Sequence, residues 1–178
     1  MAEVKIRDKE FKPFITEAEI DGIVRRLAAQ ISADYRESDL VVCPVLTGAF
    51  MFASDLVRRL TVPCEVAFVR YTSYSGMSST GTVKCMLPFP PDIEGRDVLI
   101  VEDVVDSGFS MRHMLDTVYA LHPRSVRICA LLFKPKAFKG DYKVDYVGHE
   151  IGNEFIVGYG LDYDELGRTL PEILVVDE

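Results

Sequence analysis

Val98-Leu-Ile-Val-Glu-Asp-Val-Val-Asp-Ser-Gly-Phe-Ser-Met111 is the stretch on which the architecture turns. Val98 to Val101 is an uninterrupted apolar run, as a strand buried on both faces requires. Three carboxylates follow within five residues: Glu102, Asp103 and Asp106. Ser107-Gly108 breaks the strand. Ser110 is placed to cap a helix whose apolar positions Met111, Met114, Leu115, Val118 and Leu121 share one face. A strand, an acidic turn, a glycine and a helix start make an edge where free backbone N–H groups hold a phosphate. The carboxylates would repel that phosphate, so they face sugar hydroxyls, a metal ion or a proton to be removed.

Alone, Asp-Ser-Gly is common turn chemistry, with acids that are solvated or cap the helix. Glu102-Asp103 directly after a wholly apolar run shifts the reading towards a ligand site. The Walker A pattern and the G-x-G-x-x-G dinucleotide pattern are both absent.

Around this stretch, 178 residues with 48% hydrophobic and 27% charged side chains predict one globular domain, residues 1–178, with a sizeable core. No apolar run approaches the roughly 20 residues that span a bilayer. The charged opening Met1-Ala-Glu-Val-Lys-Ile-Arg-Asp-Lys-Glu has no signal-peptide core, so a cytoplasmic location without a membrane partner is expected. Cys43, Cys64, Cys85 and Cys129 form no C-x-x-C pair, which speaks against structural zinc; Cys43 and Cys129 sit in apolar runs and read as buried thiols. A net charge of −8 lacks the basic footprint of nucleic-acid binding, yet permits a small phosphorylated substrate held by a local positive site.

Elsewhere, Thr16-Glu-Ala-Glu19 is a capping box that opens a packing helix, with Ile15 and Ile20 as its staple. Leu40 to Leu46 is a buried strand stopped by Thr47-Gly48, with a helix from about Ala49 to Leu60 behind it. Glu65 to Tyr71 is a strand leading into Thr72-Ser-Tyr-Ser-Gly-Met-Ser-Ser-Thr-Gly81, a small-residue loop of the kind that carries function. Val126 to Phe133 is a further buried strand ending at Lys134-Pro-Lys136. Glu154-Phe-Ile-Val-Gly-Tyr-Gly-Leu-Asp-Tyr-Asp-Glu-Leu-Gly-Arg168 and a final strand at Leu174-Val-Val176 close the chain. Alternating strands and helices predict an α/β fold with the ligand at the carboxyl edge of a mainly parallel sheet.

The apolar strand, Glu-Asp, two apolar residues, Asp, Ser and Gly together resemble the phosphoribosyl-diphosphate (PRPP) motif of type I phosphoribosyltransferases. From about Leu40 onward the motif order resembles the hypoxanthine-guanine branch of that family. The resemblance implies the type I fold, with helices flanking the sheet and a small hood from the N- and C-terminal segments over the base. It implies transfer of the 5-phosphoribosyl group from PRPP to hypoxanthine or guanine, with xanthine as a further candidate acceptor, giving the 5'-mononucleotide (IMP, GMP) and pyrophosphate, with Mg2+ as cofactor and a homodimer or homotetramer as the assembly.

Residue by residue, the resemblance implies that Asp106, Ser107, Gly108, Phe109 and Ser110 cradle the 5-phosphate and that Glu102 and Asp103 hold the ribose hydroxyls. Asp106 is the implied general base for the purine N7 proton. Thr47-Gly48 aligns with a pyrophosphate loop that contains a non-proline cis peptide, and Arg168 with a second pyrophosphate contact. Many relatives carry Lys where this chain has Thr47, and Lys is frequent at the position of Glu154. Ser73-Tyr74 matches the start of a flexible loop that closes over the substrates. Lys134 aligns with the lysine that donates to the 6-oxo group; a donor-only ammonium disfavours the 6-amino group of adenine. Phe155 aligns with the ring that stacks on the purine, Ile156 with backbone contacts beside it, and Asp162 with a residue that positions a second magnesium. The metal set implied is Glu102, Asp103 and Asp162. Two rival readings are a transferase for another base and an RNA-binding regulator on the same fold.

Overall fold

The computed structural model describes residues 3–74 and 82–177. In chain order the elements are β1 (Val4–Ile6), β2 (Lys9–Ile15), α1 (Glu17–Asp34), β3 (Leu40–Leu46), α2 (Phe50–Val57), β4 (Cys64–Val66), β5 (Val69–Tyr74) and β6 (Thr82–Leu87). Then follow β7 (Asp97–Val105), α3 (Phe109–Tyr119), β8 (Ser125–Phe133), β9 (Tyr146–Glu150), β10 (Ile156–Val157) and β11 (Ile173–Val176).

The main sheet has seven strands in the order β6-β5-β3-β7-β8-β9, with β4 also paired to β3. Every pairing in it is parallel except the β5–β6 hairpin. Helices pack both faces. One core layer joins Leu27, Ile31, Phe52 and Leu56 of α1 and α2 to Val42, Leu99 and Leu131; the other joins Met111, Met114 and Val118 of α3 to Val41, Ile100 and Ile128. Residues on opposite faces of one strand feed different layers, which is why β3, β7 and β8 read as continuous apolar runs. Cys43 and Cys129 are buried thiols, as expected, and burial pushes both upward in pKa, Cys43 to about 12.

A second, four-stranded antiparallel sheet, β1-β2-β11-β10, is sewn from both ends of the chain. Phe11, Val157 and Leu174 are its buried centre.

Local expectations fare unevenly. The capping box forms: Thr16 Oγ1 accepts from Glu19 N at 3.3 Å, and Glu19 Oε2 accepts from Thr16 N at 2.8 Å. Glu102 and Asp103 were expected in a turn but lie on β7, because its ladder with β8 continues through Glu102↔Ala130 to Val105↔Phe133. Ser110 is not the cap of α3. Gly108 holds that position at φ +82° without a side-chain cap, and a Cβ there would strike Phe138 and Tyr142. The expected strand from Glu65 to Tyr71 is divided; the gap falls opposite Cys43-Pro44, where Pro44 has no N–H for the ladder. Helix α2 is shorter than expected, with Arg59 N–H to Leu56 O (3.0 Å) and Leu60 N–H to Val57 O (3.3 Å) as tight turns after it. Among the described residues no helix is long and apolar enough to cross a membrane.

Candidate active site

Parallel pairing of β3 and β7 sets Pro44 beside Val101, so Glu102 and Asp103 emerge next to Val45, Leu46 and Thr47. The Leu46–Thr47 peptide bond is cis, as the resemblance implied. Thr47 and Gly48 then turn the chain into α2. A Cβ on Gly48 would fall on the Asp103 carboxylate, and one on Gly160 would fall on the Gly48 carbonyl. Three segments distant in sequence thus touch at glycines: the loop after β3, the end of β7 and the loop after β10.

These segments enclose a cavity of about 440 Å³ lined by Thr47, Gly48, Glu102, Asp103, Ser110, Asp162 and Arg168 among others. Asp103 Oδ1 accepts from Val104 N–H at 2.7 Å. Burial nevertheless lifts the Asp103 carboxyl to about 6, against an ordinary 3.8. Glu102 is pushed well above the usual carboxylate range, first by burial and then by the Asp103 charge; its Oε2 is buried with no hydrogen-bond partner among the described residues. Arg168 donates through Nη1 to Gly160 O (2.9 Å) and through Nη2 meets Asp162 (2.9 Å) and Glu165 (3.1 Å), which fixes the guanidinium at the cavity wall.

An adjoining cavity of about 130 Å³ is formed by Asp106, Ser107, Gly108, Phe109 and Ser110, with Glu102 shared between the two. Turn backbone and the first turn of α3 line it, the surroundings a phosphate needs. Lys134 follows β8, and its Nζ meets Asp106 Oδ2 at 3.2 Å and donates to Glu154 O at 3.1 Å. Phe155 is 43% exposed and packs edge-on to Tyr163 at 5.5 Å between ring centres. The Ile156 side chain is buried in β10, so only its backbone is available to a ligand.

The structure therefore brings together Thr47, Gly48, Glu102, Asp103, Ser110, Asp162 and Arg168, with Asp106 to Phe109 next to them. Lys134 and Phe155 line neither cavity; Lys134 is tied to the cluster through Asp106, and Phe155 borders a separate hollow with Lys12 and Asn153. Ser73 and Tyr74 end β5, and the loop that they open, residues 75–81, lies outside the described residues. A larger hollow of about 830 Å³, lined by Arg25, Ser32, Arg36 and Arg59 among others, shares no lining residue with either cavity.

Sequence reading missed Arg70, Thr72 and Glu165, which also line the main cavity. Arg70 was legible: it alternates between buried Val69 and Tyr71, so it must face away from their core. Arg70 pairs in register with Leu46 and brings a guanidinium to the wall beside Thr47, which has none.

Residues 16–164 match the family model for the phosphoribosyl transferase domain, and the chain belongs to that family. Its relatives place it in the hypoxanthine-guanine branch. The hypoxanthine-guanine phosphoribosyltransferase of Mycobacterium tuberculosis is 44% identical over 170 residues, covering 92% of this chain and 84% of that one. The enzyme of the same name from Aquifex aeolicus is 39% identical over 176 residues, covering 98% and 99%. Among solved structures, a hypoxanthine-guanine phosphoribosyltransferase from Bacillus anthracis superposes with a TM-score of 0.88 at 35% identity, over 99% of both chains.

Proposed function

We propose that the residues of this cleft divide the work of a purine-salvage reaction: transfer of the 5-phosphoribosyl group from PRPP to hypoxanthine or guanine, giving IMP or GMP and pyrophosphate. The chain is a phosphoribosyltransferase by family. The observation that carries the assignment of roles is the half-buried pair Glu102-Asp103, set between the Thr47-Gly48 loop and Arg168.

In this reading Asp106 to Ser110 receive the 5-phosphate on backbone N–H groups and the Ser107 and Ser110 hydroxyls. Glu102 and Asp103 accept from the ribose hydroxyls, satisfying the oxygen of Glu102 that has no partner among the described residues. Thr47, Gly48, Arg70 and Arg168 receive the pyrophosphate. Lys134 donates to the 6-oxo group, Phe155 stacks on the ring, and Ile156 offers backbone groups to its edge. The small sheet serves as a hood, with Phe155 beside Phe11 on its base-facing side.

The acids fit a hard cation. Among the described residues none forms a ready-made cage of three or more ligands, which suits magnesium that arrives with phosphate oxygens and keeps its waters. Glu102, Asp103 and Asp162 would hold it, and when bound it would neutralise charge on the departing pyrophosphate. As the bond from C1 to pyrophosphate breaks, positive charge on the ribose is stabilised by Glu102 and Asp103, while Asp106 takes the N7 proton as N9 bonds to C1. Self-association as a dimer or tetramer is part of the same proposal, supported by exposed Val66, Phe68, Met86 and Leu87 around β4 and the edge strand β6.

The test is nucleotide formation from PRPP and magnesium with hypoxanthine, guanine, xanthine, adenine and uracil offered in parallel. Turnover of hypoxanthine and guanine with none of adenine or uracil is expected; a preference for adenine would remove Lys134 as the reader of the 6-position. Gly48→Ala, which drives a methyl group into the Asp103 carboxylate, is expected to lower kcat/KM for PRPP by about 10–10²-fold. An unchanged value in that variant would show that the loop does not set the position of Asp103.

A further inference from the structure

We infer that Tyr159, acting through Asp55, is a positioning residue for the pyrophosphate half of the site, an inference that rests on the reading just given. Tyr159 lines neither cavity of the cleft. It belongs to a hollow on the far side of the loop, with Met51, Asp55 and Arg59 of the α2 region.

Gly158, Tyr159 and Gly160 all have positive φ: +104°, +49° and +100°. An aromatic residue seldom adopts that conformation unless its surroundings hold it there. Two bonds hold it: Tyr159 N–H to Leu170 O at 2.9 Å, and the part-buried Tyr159 hydroxyl to Asp55 Oδ2 at 2.7 Å. The reversal sends the Tyr159 side chain towards α2 and turns Gly160 onto the Gly48 carbonyl, where no side chain fits. Gly160 in turn exchanges two bonds with Arg168, N–H to Arg168 O and its own carbonyl from Arg168 Nη1, both 2.9 Å.

Asp55 sits on the helix that begins at the Thr47-Gly48 loop. Arg59 holds it by an ion pair at 3.5 Å and by donating to its backbone carbonyl at 2.9 Å; Arg59 is itself anchored to Asp21 of α1 at 2.5 Å. The tie therefore joins the two elements that carry opposite walls of the pyrophosphate site. A ring that only filled space would need no hydroxyl aimed at a carboxylate. This one sets the spacing between the Thr47-Gly48 backbone and the Arg168 guanidinium, and a charge-assisted bond of this kind resists small displacements.

Tyr159→Phe keeps the ring and removes the tie. The expected result is a rise of about tenfold in KM for PRPP, and for pyrophosphate in the reverse reaction, within the cost that misplaced binding groups carry. KM for hypoxanthine should stay unchanged, with the thermal midpoint within about 4 °C of the parent. Asp55→Ala should reproduce that split, whereas Asp55→Asn, which keeps an oxygen acceptor for the hydroxyl, should restore KM for PRPP. If PRPP and pyrophosphate constants do not move in Tyr159→Phe, or move together with hypoxanthine, the positioning role is overturned and the transferase reading stands. If the parent protein makes no nucleotide at all, the transferase reading fails, and this inference with it.

Discussion

Asp106→Asn is expected to lower kcat by on the order of 10²–10⁴-fold, the usual worth of a positioned general base, with KM for PRPP little changed. Asp106 is the first residue beyond β7, lines the smaller cavity proposed to take the 5-phosphate and is half-exposed, so it is open to an incoming purine. Asparagine preserves its size and its ability to accept a hydrogen bond, but cannot take a proton at neutral pH. Lys134, 3.2 Å away, then loses its anionic partner while keeping the Glu154 carbonyl. Loss confined to kcat would mark a group used only in the transition state. Pre-steady-state measurement of nucleotide formation is the check, because slow product release could otherwise hide the chemical step. Undiminished chemistry in that experiment would strike Asp106 from the mechanism.

The second large effect runs in opposite directions for activity and stability. Asp103→Asn is expected to lower kcat/KM for PRPP by about 10–10²-fold, since hydrogen bonds to a charged group are worth about 1.5–3 kcal/mol. The same change should stabilise the unligated protein at pH 7 by on the order of 1–3 kcal/mol. The carboxyl titrates near 6 when folded and near 3.8 when exposed, chiefly because burial penalises its charge. Between those values the folded state holds the extra proton. Its stability is therefore highest below about pH 4 with respect to this group, falls as pH rises towards 6, and stays low above. Asparagine, neutral throughout, removes that slope. Urea unfolding at pH 4 and pH 7 should show parent and variant nearly matched at the lower pH and separated at the higher one. Equal stabilities at both would mean that the carboxylate carries no burial penalty.

Much of this was legible in the chain because strands buried on both faces leave long apolar runs. The central apolar strands needed no more than that. The Thr16 cap was equally plain, its chemistry lying within one helical turn. What escaped was decided by partners distant in sequence. Whether β7 stops at Val101 or runs to Val105 depends on β8 continuing beside it. Gly108 rather than Ser110 opens α3 because Phe138 and Tyr142 leave no room for a side chain. Arg70 could be assigned to a face from alternation, but its place in the cleft required the register with Leu46.

The small sheet has a consequence for how the molecule comes into being. Its strands come from residues 4–15 and 156–176, whereas the main sheet spans only residues 40–150. As the chain leaves the ribosome, the sheet that carries the proposed phosphate and ribose contacts is complete in sequence before β10 and β11 exist. The hairpin of β1 and β2 must wait for β11, its neighbour across Phe11↔Val176, until residues 173–176 are made. Closing contacts between such distant segments is slow, so the base side of the cleft is the last part to be assembled. A nascent molecule would then have a place for the sugar phosphate before it has one for the purine.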